Sequence, residues 1–157
     1  MTKKGKKILS GDLVSNRAAY HNYEVLDTLE GGIKLLGTEV KSLRDGGGSL
    51  QDNYITIIKG EPFLMQCSIA KYKFGNLFNH DERRERKLLL HKTEISRLRK
   101  QNEEKGLTLI ALGMYLTKTG FVKVKIGLCK GKKLYDKRSD LKKKDQEREM
   151  NRVLKGN

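Results

Sequence analysis

The sequence predicts a mainly β protein: a six-stranded antiparallel barrel of the oligonucleotide-binding type, with about three short helices and a basic tail that is disordered when free. Three observations carry this reading. Val122, Val124, Ile126 and Leu128 alternate with Lys123, Lys125 and Gly127, the period-2 signature of a strand with one face in a core. The strand-like runs come in neighbouring pairs joined by short turns, and closing such hairpins into a barrel removes exposed edges. The last 27 residues hold ten Lys or Arg, five Asp or Glu and only six apolar residues. That is too little apolar surface to offset backbone ordering, which costs about 1–2 kcal/mol per residue.

Taken in order, residues 1–15 read as a flexible basic arm. Ser15 or Asn16 caps a short helix over 17–21. A strand over 23–30 turns at Gly31-Gly32 into a second strand over 33–36, a first hairpin. Thr38 caps a helix over 39–44, with Val40 and Leu43 inward, and Gly46-Gly47-Gly48 ends it. Residues 54–58 and 63–69 flank Lys59-Gly60-Glu61-Pro62, a second hairpin. A polar loop over 71–87 carries Tyr72, Phe74 and Phe78. Leu88-Leu89-Leu90 opens into a helix over 93–104, stopped by Gly106. The third hairpin pairs 107–116 with 121–129 across Lys118-Thr119-Gly120. The domains are thus an arm (1–15), a barrel (16–130) and a tail (131–157).

The whole chain has 34 Lys plus Arg against 19 Asp plus Glu, a formal charge of +15. With a pI near 9.8, this is the electrostatic footprint of a nucleic-acid binder. Lys123, Lys125 and Lys130 form a strand-face ridge that Lys132 and Lys133 extend into the tail. Arg83, Arg84, Arg86 and Lys87 make a second basic cluster. Tyr20, Tyr23, Tyr72, Phe74 and Phe78 lie near basic residues, and aromatic rings can stack on unpaired bases.

Enzyme chemistry finds no footing. His21, His80 and His91 lie in separate segments, away from Cys67 and Cys129, so no metal-ligand spacing arises. The two cysteines sit in strand-like runs and read as buried free thiols, which suits a reducing cytoplasm. Gly46-Gly47-Gly48 lacks the Lys-Ser/Thr ending of a phosphate-binding loop, and a lone Glu30 at a turn is no catalytic signal. No cofactor is expected. The lysine-rich start is too short and interrupted for a signal peptide, and no run reaches the ~20 apolar residues of a membrane span.

Five strings then occur in order: Asn16-Arg17-Ala18; Gly37-Thr38-Glu39-Val40-Lys41-Ser42-Leu43-Arg44; Arg86-Lys87-Leu88-Leu89-Leu90-His91; Gly106-Leu107-Thr108-Leu109; and Gly131-Lys132-Lys133-Leu134-Tyr135-Asp136-Lys137-Arg138. Together, from about residue 8 to the end, they resemble the SmpB (small protein B) family, bacterial tmRNA-binding proteins. The resemblance implies a non-enzymatic barrel that binds the tRNA-like domain of tmRNA in trans-translation, the rescue of stalled ribosomes with tagging of the unfinished peptide. By motif match it assigns RNA contacts to Asn16, Arg17, His21, Glu30, Leu89 and Lys123. It implies a tail that becomes helical in the messenger channel, with Asp136, Lys137 and Arg138 acting there and Tyr135 stacking near the small-subunit decoding centre. Elongation factor Tu enters as a partner through tmRNA, and the protein is a cytoplasmic monomer. Lys71, Glu82 and Ala111 stand where related sequences often have proline. A generic single-stranded or ribosomal-RNA-binding barrel is the alternative.

Overall fold

The computed structural model describes residues 12–75, 79–132 and 134–155. Of the expected flexible arm over 1–15, residues 1–11 lie outside the described residues, as do Phe78 and Lys133, whereas Asp12–Ser15 are not a free arm but a strand paired into the sheet.

Seven antiparallel strands form one sheet in the order β1 (Asp12–Ser15), β8 (Thr108–Leu116), β9 (Val122–Gly131), β2 (Tyr23–Ile33), β7 (Arg86–Leu89), β5 (Glu61–Met65), β4 (Tyr54–Ile58). A two-stranded ribbon pairs β3 (Gly48–Ser49) with β6 (Ser68–Ile69). The helices are α1 (Arg17–Asn22), α2 (Gly37–Arg44), α3 (Lys92–Lys105) and α4 (Leu134–Lys155). The described residues therefore hold nine strands and four helices, against six and about three expected.

The β8–β9 hairpin is the spine. Val122, Val124, Ile126 and Leu128 all enter the core, as their alternation predicts, and meet Leu43, Leu64, Leu88 and Leu98 there. In β8 the inward residues are Leu109 and Ala111 before a register shift and Met114 after it. The extra residue of that bulge reverses which parity faces inward. Ile110 and Leu112, alternating with Leu109 and Ala111, face the other way and build a second small core with Ala19 of α1 and Cys129. Both faces of the sheet are apolar here, so the lysine ridge of β9 stops at Lys125 and resumes only at Lys130.

Local capping follows the chemistry of each helix end. Asn16 Oδ1 accepts from the Ala19 N–H at 3.1 Å and starts α1. Gly106, at φ +63°, ends α3 in the left-handed conformation that glycine adopts without strain. Thr38 is not the cap of α2. The helix begins one residue earlier, Glu39 Oε1 accepts from the Leu36 N–H at 2.7 Å, and the Thr38 hydroxyl reaches His80 Nδ1 at 2.8 Å.

Further expectations are corrected. Gly31-Gly32 is not a turn: β2 runs straight through it, with Gly31 opposite Val124 and Gly32 opposite both Lys123 and Leu89. A Cβ at Gly31 would stand 2.4 Å from Leu90 Cδ2, so the bare backbone makes room for the leucines that pack across it. Leu88 and Leu89 belong to strand β7, not to the mouth of a helix. The expected strand over 63–69 breaks after Met65, where Gln66 takes φ +60°. The stretch expected to be disordered in the free protein, 134–155, forms one helix, exposed along 141–152. Its i,i+3 pairs Asp145–Arg148 (3.4 Å) and Glu149–Arg152 (3.2 Å) are fully in solvent, where each contributes only about 0.2–0.5 kcal/mol to a helix.

No helix among the described residues is long and apolar enough to cross a membrane.

Candidate nucleic-acid interface

The lysine ridge faces a shaped surface. On the outer side of the sheet, β-pairing sets Glu30 of β2 opposite Lys125 of β9, and Gly32 opposite Lys123. Directly opposed residues of an antiparallel pair share a face. On the far side of β9, Lys123 is opposite Tyr115 of β8. The Tyr115 phenol lies near the Glu30 carboxylate. Partial burial and then the neighbouring Glu30 hold its pKa above the ordinary tyrosine value. Glu30 is thus a carboxylate set among Lys123, Lys125 and Tyr115.

Beside it lies a groove of about 580 Å³ whose lining includes Glu30, Gly32, Leu89, His91 and Lys123. Leu89 is 52 % exposed, an apolar lip over the bare backbone of Gly32, whose Cβ position is 3.3 Å from Leu89 Cβ. Lys87 also borders this groove, but its ammonium is held by Glu61 at 2.6 Å.

A second concavity, about 510 Å³, lies where α1 meets the end of β9. Its walls include Asn16, Asn22, Tyr23, Tyr54 and Lys132. Lys132 anchors the departure of the tail: its N–H donates to Asn22 O at 3.0 Å and its Nζ to Tyr20 O at 3.2 Å.

The expected site residues therefore divide. Glu30, Leu89 and Lys123 come together at one groove, with Lys125 at its margin. Arg17, exposed, and His21, half-buried, ride on α1, and Lys130 is exposed near the end of β9. Asn16 is buried, and its whole amide serves the fold. Besides capping α1, Nδ2 donates to Leu50 O at 3.3 Å and Ala111 O at 3.1 Å. Tyr135, Asp136, Lys137 and Arg138 fall in the opening turns of α4.

The 83–87 basic cluster is not a free surface. Arg86 is completely buried, with Nε 2.7 Å from Glu39 Oε2 and its other nitrogens donating to Cys67 O, Arg84 O, Asp81 O and Glu82 O. Arg84 grips the same carboxylate at 2.6 Å, and Arg83 donates to Gln66 Oε1. Burial alone would raise the pKa of Glu39. Hydrogen bonds from Arg84 and the Leu36 N–H, then the charge and hydrogen bond of Arg86, hold it below the ordinary 4.5. The arginines fasten the 70–86 loop instead of reaching a partner.

Among the described residues no three His, Cys, Asp or Glu side chains are placed to hold a metal ion. Cys67 and Cys129 are buried free thiols, as expected, and burial pushes both pKa values up to about 11.

Comparison with known proteins decides the family. The family profile described as "SmpB protein" matches residues 13–156. The chain belongs to the SmpB family. Proteins named SsrA-binding protein are similar along almost its whole length. That of Chlamydia muridarum is 56 % identical over 144 residues, covering 92 % of this chain and 95 % of the other. That of Protochlamydia amoebophila is 55 % identical, covering 92 % and 94 %. That of Enterococcus faecalis is 49 % identical, covering 92 % and 94 %. A solved chain described by "tmRNA-SmpB: a journey to the center of the bacterial ribosome" superposes with a TM-score of 0.66 at 48 % identity, covering 77 % of this chain and 85 % of that one. The five strings read from the sequence all lie within the matched span.

The proximity of Tyr115 to Glu30 is the part of this SmpB-family surface that sequence reasoning missed. Tyr115 faces Lys123 only because the β8 bulge shifts the register between Ala111 and Gly113, and no local signal in 107–116 announces that bulge.

Proposed function

We propose that this protein binds SsrA RNA, which is tmRNA, through the tRNA-like domain, and brings it to stalled ribosomes for trans-translation. One observation carries the reading: proteins named SsrA-binding protein match more than nine-tenths of the chain at up to 56 % identity. Within that reading the protein is a binding protein and not an enzyme.

The site chemistry supports a folded RNA as ligand. Lys123 and Lys125 meet phosphates, and Arg17 and Lys130 extend the basic track toward the tail. Leu89 packs on a ribose or a base face. Glu30 is an acceptor only, so it selects a ribose 2′-OH or a base amino group over a phosphate. Asn16 acts by positioning α1, which presents Arg17 and His21.

We also read the curled sheet as a closed barrel of the oligonucleotide-binding type. Asn53, just before β4, bonds to the backbone of Ala111 in β8, and so brings the last strand back toward the first pair. The tail 131–157 is a separate functional unit. Its helix is weakly supported by its own ion pairs, and an RNA-lined messenger channel neutralises its lysines and stabilises it. There Tyr135, Asp136, Lys137 and Arg138, with Lys132 and Lys133, act at the decoding centre. Elongation factor Tu joins through tmRNA. The protein acts as a cytoplasmic monomer.

The test is to recover the protein from cells and sequence the RNA bound to it, then compare tmRNA with an unrelated hairpin RNA of equal length. Enrichment of tmRNA and tighter binding to it are expected. Equal affinity for the two RNAs would sink the reading.

A further inference from the structure

A second aromatic and basic surface lies away from the groove. Phe74 is 72 % exposed, a large apolar ring held in water. It meets Tyr72 edge to face, with ring centroids 5.5 Å apart and planes at 72°. Lys73 Nζ lies 5.6 Å from the Phe74 centroid, and Lys41 Nζ of α2 lies 5.8 Å from that of Tyr72. Each is within the ~6 Å reach of a cation–π contact. Neither Tyr72 nor Phe74 shares a lining with the Glu30–Lys123 groove.

The surface is built. Asn79 Nδ2 donates to Tyr72 O at 2.8 Å and Asn79 Oδ1 accepts from the Tyr72 N–H at 3.3 Å. The Gly75 N–H donates to the same carbonyl at 2.8 Å. A Cβ at Gly75 would fall 2.6 Å from Asn79 Nδ2, so the turn closes tightly around that amide. The root of the loop is fixed by His80 Nε2 at 2.9 Å from Ile69 O and by the Ala70 N–H bonded to Gly47 O at 2.9 Å. The aromatic pair is therefore presented on a fastened base.

We propose that Tyr72 and Phe74, with Lys41 and Lys73, form a second RNA contact that stacks one unpaired base. The proposal rests on the RNA-binding reading above and adds a site to it. The charge selects this occupant: Lys41 and Lys73 lie against the rings, and a base brings both a π face and a phosphate. When a base stacks on Phe74, the flexible Lys73 side chain swings off the ring face to the adjoining phosphate. The ring stays covered and the ammonium exchanges a weak partner for an anionic one.

The probe is a fluorescein-labelled ten-nucleotide oligoadenylate, titrated into the full chain beside an abasic oligonucleotide of the same length. The wild type binds the oligoadenylate more tightly than the abasic strand. Phe74→Ala and Phe74→Leu weaken oligoadenylate binding by about tenfold and abolish the difference, since stacking and not bulk apolar contact is lost. Phe74 is exposed, so neither change touches the core, and unaltered thermal unfolding verifies this. Equal binding of the two strands by the wild type, or an unchanged affinity in both variants, overturns the platform. Binding of tmRNA, measured in the same preparation, separates the two ideas. Tight tmRNA binding without base discrimination removes the platform alone; absence of tmRNA binding removes the reading beneath it.

Discussion

One asparagine side chain holds both backbone polar groups of Ala111. The Ala111 N–H donates to Asn53 Oδ1 at 2.8 Å, and Asn53 Nδ2 donates to Ala111 O at 3.1 Å. This reproduces with a side chain the two-bond exchange that a paired strand would supply. Strand β1 covers β8 only as far as Gly113, and Asn16 N–H takes Leu112 O, so the amide of Asn53 continues the edge where β1 leaves it. A proline at 111 would lack the N–H that this bond uses.

Asn53→Ala should therefore be among the costly single changes. It strips the buried partner from Ala111 N–H, worth about 1–3 kcal/mol when left unsatisfied, while Leu50 O and Ala111 O keep the Asn16 amide. We expect a loss of about 1–3 kcal/mol in urea unfolding. A change within 0.5 kcal/mol would show that water replaces the amide without penalty.

Glu39 predicts a pH dependence. Its folded pKa lies below the ordinary 4.5, so ionised Glu39 stabilises the fold above that value. The contribution is lost as pH falls through the depressed folded pKa. Glu39→Gln should remove this acid limb of the stability profile. It should also destabilise at neutral pH by about 3–5 kcal/mol, because Arg86 is left buried without its counter-charge. An unchanged acid limb in the variant would assign the dependence to other carboxylates.

The groove can be separated from the fold. Glu30 and Lys125 are exposed and Lys123 half-buried, so Glu30→Ala and Lys123→Ala should keep thermal stability within about 0.5 kcal/mol while weakening tmRNA binding. For Lys123→Ala the salt dependence of binding should flatten by about one phosphate contact, near 0.9 in the logarithmic slope on duplex RNA or DNA. Markedly earlier melting would mark these residues as structural.

The tail should be dispensable for capture and required for rescue. Because Lys132 is bonded to Asn22 and Tyr20, the clean truncation point is after Lys132 and not at Lys130. That truncation, or alanine at Asp136, Lys137 and Arg138, should leave most tmRNA affinity and abolish peptide tagging on stalled ribosomes. Full tagging by the truncated protein would end the division of labour between body and tail.

Cys67 and Cys129 should be silent to alkylation at pH 8. Both thiols are buried and their pKa values stand near 11, so almost no thiolate is exposed to reagent. Labelling should follow unfolding. Rapid modification of the native protein would contradict the packing around β6 and β9.

Several features were determined by the sequence alone. The β8–β9 hairpin, the Asn16 cap, the stop at Gly106 and the excess of positive charge all depend on neighbours within a few residues. The ordered strings that mark the family are also local. Tertiary structure decided what local chemistry leaves degenerate. A Gly-Gly pair suits a turn or a close approach, and only leucines 59 and 57 residues further along the chain, Leu90 over Gly31 and Leu89 over Gly32, select the second. An arginine-rich string suits RNA or a buried carboxylate, and Glu39, 47 residues before Arg86, selects burial. Tyr115 reaches Glu30 because a bulge moves the register by one residue. In each case the deciding interaction joins residues far apart in sequence, so its energy appears only when the chain has closed on itself.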